Sequence, residues 1–274
     1  MGTVARSRQF GTERLDFEME GCRAMMLAPI RPAHRDVRPW IFCAPVFVGP
    51  HPSNPDANPN LFNHPIADDS PRYPPADRPD RATHEKLFRA LLERGFHIGG
   101  IEVGESMGNP AGCGLYSVYC RHVVQAYGLD PRPCLYATSR GALMLYNWAA
   151  DRPESLRCIG ANQPVMDLAL FPGLDEAAKA YAMPADEFRM VYKRHNPIDR
   201  LSPLAAIGVP ILHIVGEADE LLPFESVREM KRRYTALGGH VRIISHAGVP
   251  HGLWPELLED MRMYDFFVLY AGLS

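Results

Sequence analysis

The chain has 274 residues, 46% hydrophobic and 22% charged, with a formal net charge of −3. That length supports one sizeable core, and α/β domains of this size often stay single, so one domain over 1–274 is expected. The balance offers no basic surface for nucleic acid or an anionic membrane, and no apolar run is long enough to span a bilayer.

Residues 1–11 are polar and basic and lack the apolar segment of a signal peptide, so a cytoplasmic protein is expected. Residues 14–19 alternate polar and apolar as an edge strand, and 23–29 form its hairpin partner across Glu20-Gly21-Cys22. Trp40–Ala44 is a buried strand running into Pro45-Val46-Phe47-Val48-Gly49. Over 50–81 prolines recur among Asn, Asp and His; so long a loop in a compact domain points to an ordered insertion near a site. Residues 83–93 form an amphipathic helix, with Leu87, Ala90 and Leu91 on one face and Gly95 as its cap. A strand over 96–103 leads into a loop over 104–110, and a helix follows over 116–127. Next come a short buried strand over 133–137, a helix over 142–150 and a strand over 158–163. Residues 170–200 are irregularly helical, broken by Pro172, Pro184 and Pro197. A buried strand over 210–216, a helix over 226–236, a strand over 240–245 and a closing helix over 254–269 complete the chain. This alternation predicts an α/β fold, a mostly parallel sheet with helices on both faces.

Between the strand 133–137 and the next helix lies Thr138-Ser139-Arg140-Gly141. Strand, tight turn with a central serine, then helix exposes the serine hydroxyl at the head of the helix. A serine N-cap would give the same local pattern. A nucleophilic serine needs a base to take its proton and a carboxylate to hold that base in the right tautomer. Asp219 follows the strand 210–216 in Gly216-Glu217-Ala218-Asp219-Glu220-Leu221-Leu222-Pro223, and His251 follows the next strand in Gly248-Val249-Pro250-His251-Gly252. All three fall at carboxyl ends of strands, where ligands bind in such sheets. Glu217 and Asp167 are the competing acids. Two donors must face the developing oxyanion: the backbone N–H of Arg140, and that of Val46 or Phe47, since Pro45 has none. Glu105, Arg140, Asn109 and Trp254 offer contacts at the rim. Glu105 and Arg140 can bind substrate or pair with one another, and Trp254 can wall the pocket or pack the last helix. The six cysteines show no metal-ligand spacing, a Cys113–Cys120 disulfide has no support, and a reducing compartment is the simpler reading. His51, His64 and His84 are too dispersed for zinc unless Asp68 or Asp69 joins them, so neither metal nor organic cofactor is expected.

From Trp40 onward the chain resembles the α/β-hydrolase superfamily, nearest to esterases and prolyl-oligopeptidase-like hydrolases. Ala-Thr-Ser-Arg-Gly around Ser139, Gly-x-x-Asp-x-x-x-Pro around Asp219 and Pro-His-Gly around His251 carry the resemblance, which departs at Ala137, where the family has glycine. It implies an α/β-hydrolase fold with 165–205 as a small helical cap. It also implies two-step acyl transfer, with Ser139 as nucleophile, His251 as base and Asp219 as the orienting acid. The Ser-Arg pair is similar to that of glucuronoyl esterases, without the Cys before the serine and the Lys after the glycine; the polar and aromatic rim of Glu105, Arg140, Asn109 and Trp254 makes an ester on a carbohydrate or other small polar molecule the expected partner. Neither nucleic acid nor membrane is expected, and the oligomeric state is open, a homodimer included. Three other readings are a serine peptidase of the prolyl-oligopeptidase type, with Glu105 anchoring a peptide amine, a non-catalytic binding module on the same fold, and a lyase or transferase using the same serine.

Overall fold

The computed structural model describes residues 4–33, 38–46 and 84–273; the 50–81 insertion and Phe47 lie outside the described residues. Strands β1 (Ala5–Gln9), β2 (Thr12–Met19) and β3 (Cys22–Leu27) make two successive hairpins. Their turns, Phe10-Gly11 and Glu20-Gly21, hold both central residues at positive φ (52° and 82°; 49° and 73°), which suits the twist of paired strands. β1, not β2, is therefore the edge. Its first four residues are exposed, so it has no apolar alternation by which the sequence would reveal it.

Five further parallel strands join β5 (His97–Ile101), which itself pairs antiparallel with β3. They are β4 (Trp40–Ala44), β6 (Cys134–Thr138), β7 (Cys158–Asn162), β8 (Ile211–Gly216) and β9 (Val241–His246). Among the described residues the sheet has nine strands, in the order β1-β2-β3-β5-β4-β6-β7-β8-β9. Every residue of β4, β6, β7 and β8 is buried, as expected where helices cover both faces.

The helices are α1 (Glu85–Arg94), α2 (Pro110–Tyr127), α3 (Gly141–Asp151), α4 (Leu174–Ala180), α5 (Ala185–Val191), α6 (Ser202–Ala206), α7 (Phe224–Ala236), α8 (Pro255–Leu258) and α9 (Arg262–Tyr270). Strand alternation sorts the core into two layers. Trp40, Phe42, Leu135 and Ala137 pack with residues of α2, α3, α6 and α7, while Ile41, Cys43, Cys134 and Tyr136 pack with α1, α8 and α9. A third apolar cluster joins Val165, Leu168, Ala177 and Phe188 of the 165–205 segment to Leu143 of α3, to Met107 and to Leu222. The small helices α4 and α5 thus sit over the start of α3.

Two further features differ from expectation. Helix α2 begins at Pro110, not near 116. Asn109 caps it, its Oδ1 accepting from the Gly112 N–H at 2.8 Å, and Pro110 occupies the first turn, where its missing N–H leaves nothing unsatisfied. Gly112 and Gly114 hide this start from propensity, yet Gly112 is required, since a Cβ there would lie 2.6 Å from the Ser106 side chain. The closing helix 254–269 is two helices, parted at Asp260, whose Oδ1 accepts from the Arg262 N–H at 3.0 Å. Cys113 and Cys120 both lie within α2, and all six cysteines are free.

Candidate active site

Strand β6 ends at Thr138, and Ser139 turns the chain at φ 49° straight into α3. A non-glycine residue in this region carries strain and persists only where its surroundings hold it. Here they do: the Ser139 N–H donates to the Asn162 carbonyl at 3.0 Å, and the Ser139 carbonyl accepts from Val165 N–H at 3.0 Å and Ala142 N–H at 3.1 Å. Gly141 has no room for a side chain, because a Cβ would overlap the Ala44 carbonyl oxygen. Ala137 sits in register between Ala44 and Ala161, so small neighbours on both sides accommodate its methyl group where glycine was expected.

The Ser139 hydroxyl lies 3.1 Å from His251 Nε2, and His251 Nδ1 lies 2.7 Å from Asp219 Oδ2. The other oxygen, Asp219 Oδ1, accepts from the backbone N–H groups of Leu221 (3.0 Å) and Leu222 (2.8 Å). The Asp219 side chain is 3% exposed and that of His251 24%, so the carboxylate is sheltered while the imidazole reaches the open side. Donation from Nδ1–H to the carboxylate leaves the Nε2 lone pair aimed at the serine hydroxyl. The two loops are also joined by their backbones. Glu217 N–H donates to His246 O at 2.9 Å and Ala218 N–H to Val249 O at 3.1 Å, extending the β8–β9 pairing past the strands.

The competing acids are engaged elsewhere. Glu217 accepts from Ser245 Oγ at 2.6 Å, and Asp167 accepts from Ala169 N–H at 2.9 Å and Asn196 Nδ2 at 3.0 Å. At the rim, Arg140 Nε donates to both oxygens of Glu105, at 3.0 and 2.8 Å, with the two side chains 25% and 30% exposed. Of the two readings for these residues, their mutual pairing is the one seen. Asn109 is committed to capping α2 and to the Ala180 carbonyl (2.6 Å), not to the rim. Trp254 packs against the α1 and α9 layer, its buried indole N–H without a hydrogen-bond partner among the described residues. Val46, beyond the end of β4, is buried.

His84 is buried beneath the elbow, its Nε2 3.4 Å from Thr138 Oγ1, and burial pushes its pKa down to about 3, so it stays neutral. Among the described residues no three His, Cys, Asp or Glu side chains gather as metal ligands; His51, His64, Asp68 and Asp69 lie outside them. No described helix is long and apolar enough to cross a membrane. Sequence reasoning passed over Gln163, the residue after β7. It stands at φ 47°, is buried, and bonds through its side-chain amide to the residue next to His251.

The model of the dienelactone hydrolase family matches residues 157–260, the stretch holding Asp219 and His251. A search of the curated proteins returns no match. Among solved structures, an S-formylglutathione hydrolase from Agrobacterium tumefaciens superposes with a TM-score of 0.67 at 12% identity, covering 99% of each chain. A puromycin-hydrolyzing peptidase from Mycobacterium tuberculosis superposes with a TM-score of 0.63 at 12% identity over 98% of this chain, and a puromycin hydrolase with 0.61 at 16% identity over 100% of this chain. This chain spans only 40% and 39% of those two proteins. The chain has the α/β-hydrolase fold. The family match further supports a serine hydrolase.

Proposed function

We propose that the protein cleaves a carboxylic ester through an acyl-enzyme, with Ser139, His251 and Asp219 as its catalytic triad. The observation that carries this reading is the unbroken chain from the Ser139 hydroxyl through both imidazole nitrogens to a buried, doubly bonded Asp219. His251 takes the serine proton as Oγ attacks the ester carbonyl, then passes it to the departing alcohol. Water, deprotonated by the same histidine, releases the acid. Asp219 fixes the tautomer and stabilises the imidazolium. The Arg140 and Val46 N–H groups receive the oxyanion, with Phe47 as the alternative second donor. Glu105, Arg140 and Trp254 are assigned to the rim that receives a small polar ester, a sugar ester among them.

The test pairs fluorophosphonate labelling with a panel of p-nitrophenyl and sugar esters on the wild type and Ser139→Ala. Labelling of Ser139 and turnover by the wild type alone are expected. The peptidase reading is served by the same triad, and aminoacyl-anilides in the panel separate the two. Faster anilide than ester cleavage would replace esterase with peptidase, and a wild type that neither labels nor turns over would leave a binding module.

A further inference from the structure

We infer that Gln163 is a positioning residue that sets the distance between the nucleophile and its base, an inference that rests on the hydrolase reading above. Its side-chain amide makes two hydrogen bonds to a single residue. Nε2 donates to the Gly252 carbonyl at 2.7 Å, and Oε1 accepts from the Gly252 N–H at 2.7 Å. This amide therefore holds the peptide groups on both sides of Gly252, the first of which joins it to His251.

The bonds to the surrounding backbone explain why this matters. The exit of β7 is bonded to Ser139 on one side, through Asn162 O and Val165 N–H, both at 3.0 Å. Gln163 lies between those two positions and sends its side chain to the His251 loop, while its own N–H is tied to Ile214 O of β8 at 2.9 Å. Four residues thus grip the nucleophile's backbone with their main chain and the base's backbone with one side chain. The His251 loop is held at its other side by Ala218 N–H on Val249 O. Without Gln163, His251 would be tethered on its N-terminal side and by Asp219 but loose beyond, and the 3.1 Å contact with Ser139 would lose its second support. Glycine suits position 252, which stands at φ 148° with the Trp254 Nε1 only 3.0 Å from where a Cβ would sit.

The chemistry of the clamp is specific. At neutral pH a primary amide presents a donor and an acceptor side by side, matching the C=O and N–H of Gly252, as an ionised carboxylate does not. Leucine keeps the volume and loses both bonds. Glutamate keeps the acceptor for the Gly252 N–H but turns a second oxygen toward the Gly252 carbonyl; on protonation that oxygen becomes a donor and the pair is restored.

The experiment compares wild type, Gln163→Leu and Gln163→Glu on one ester, measuring kcat and KM across pH beside circular dichroism and Ser139→Ala. Misplacing a reacting group by about 1 Å costs on the order of 10²-fold. A fall in kcat of about 10- to 100-fold for Gln163→Leu, with KM within about twofold and a native spectrum, supports the inference. So does a wild-type to Gln163→Glu rate ratio that narrows as pH falls. A kcat within about threefold of wild type, a defect mainly in KM, or a Gln163→Glu ratio constant with pH overturns it. If Gln163→Leu does not fold, the Gln163→Glu pH series decides. Failure of the hydrolase reading is seen separately, as a wild type without turnover, and failure of the nucleophile assignment as turnover that survives in Ser139→Ala.

Discussion

The two sides of Ser139 are built by different rules. Toward His251 and Asp219 the groups are sheltered and multiply bonded: the carboxylate is 3% exposed, with three hydrogen bonds, and the loops share backbone bonds. Toward the rim stands the Arg140–Glu105 pair, a quarter or more exposed and held by one nitrogen on two oxygens. The first side cannot relax when a member is removed, because the remaining groups are fixed and desolvated. The second can, because water and salt replace a lost partner. Fixed geometry therefore belongs to the acid–base side and adaptability to the rim.

Ser139→Ala tests the rigid side most strongly. Loss of the hydroxyl opens almost no cavity, so the melting temperature should hold while ester turnover falls by about 10⁴- to 10⁶-fold; activity within tenfold of wild type would break the comparison. Asp219→Asn should lower kcat by about 10⁴-fold, since an amide cannot serve both the loop N–H groups and His251 Nδ1–H as an anion does. If Asp167→Asn or Glu217→Gln is the inactive variant instead, the acid is misassigned. Gly141→Ala should be next, costing on the order of 10²-fold in kcat as the elbow is pushed off the Ala44 carbonyl; kinetics and circular dichroism together separate this displacement from unfolding. Arg140→Ala should be mildest. An exposed ion pair is worth about 0.2–1 kcal/mol, so neutral esters should slow little and the melting temperature shift by a few degrees at most. A loss confined to acidic esters would show that Arg140 reads the substrate's charge directly and would sharpen the contrast.

Much of this was legible in the chain because strands here are short and end in chemistry. Ser139, Asp219 and His251 each follow an apolar run closely enough that naming the strand places the residue. The start of α2 was hidden because Gly112, required by its close approach to Ser106, and Gly114, which has open space around it, both read as loop. β1 was hidden because it lies at an exposed edge, with its first four residues open to solvent and no apolar alternation. The pairing of Arg140 with Glu105 was one of two readings and needed a distance to choose between them. Gln163 gave no signal: a glutamine ending a strand is unremarkable until the loop arriving 89 residues later is seen beside it. Contacts made by one side chain to a distant backbone have no period and no motif.

Helix α3 begins two residues after Ser139, and all its residues from Gly141 to Ala150 are buried. Aligned peptide dipoles leave roughly half a positive charge at a helix N-terminus. Buried along its length, α3 delivers that field to the serine with little counterion around it to weaken it. An anion forming beside Ser139 is therefore stabilised by backbone alone. That contribution comes from peptide groups, so it survives any side-chain exchange on α3 that leaves the elbow in place.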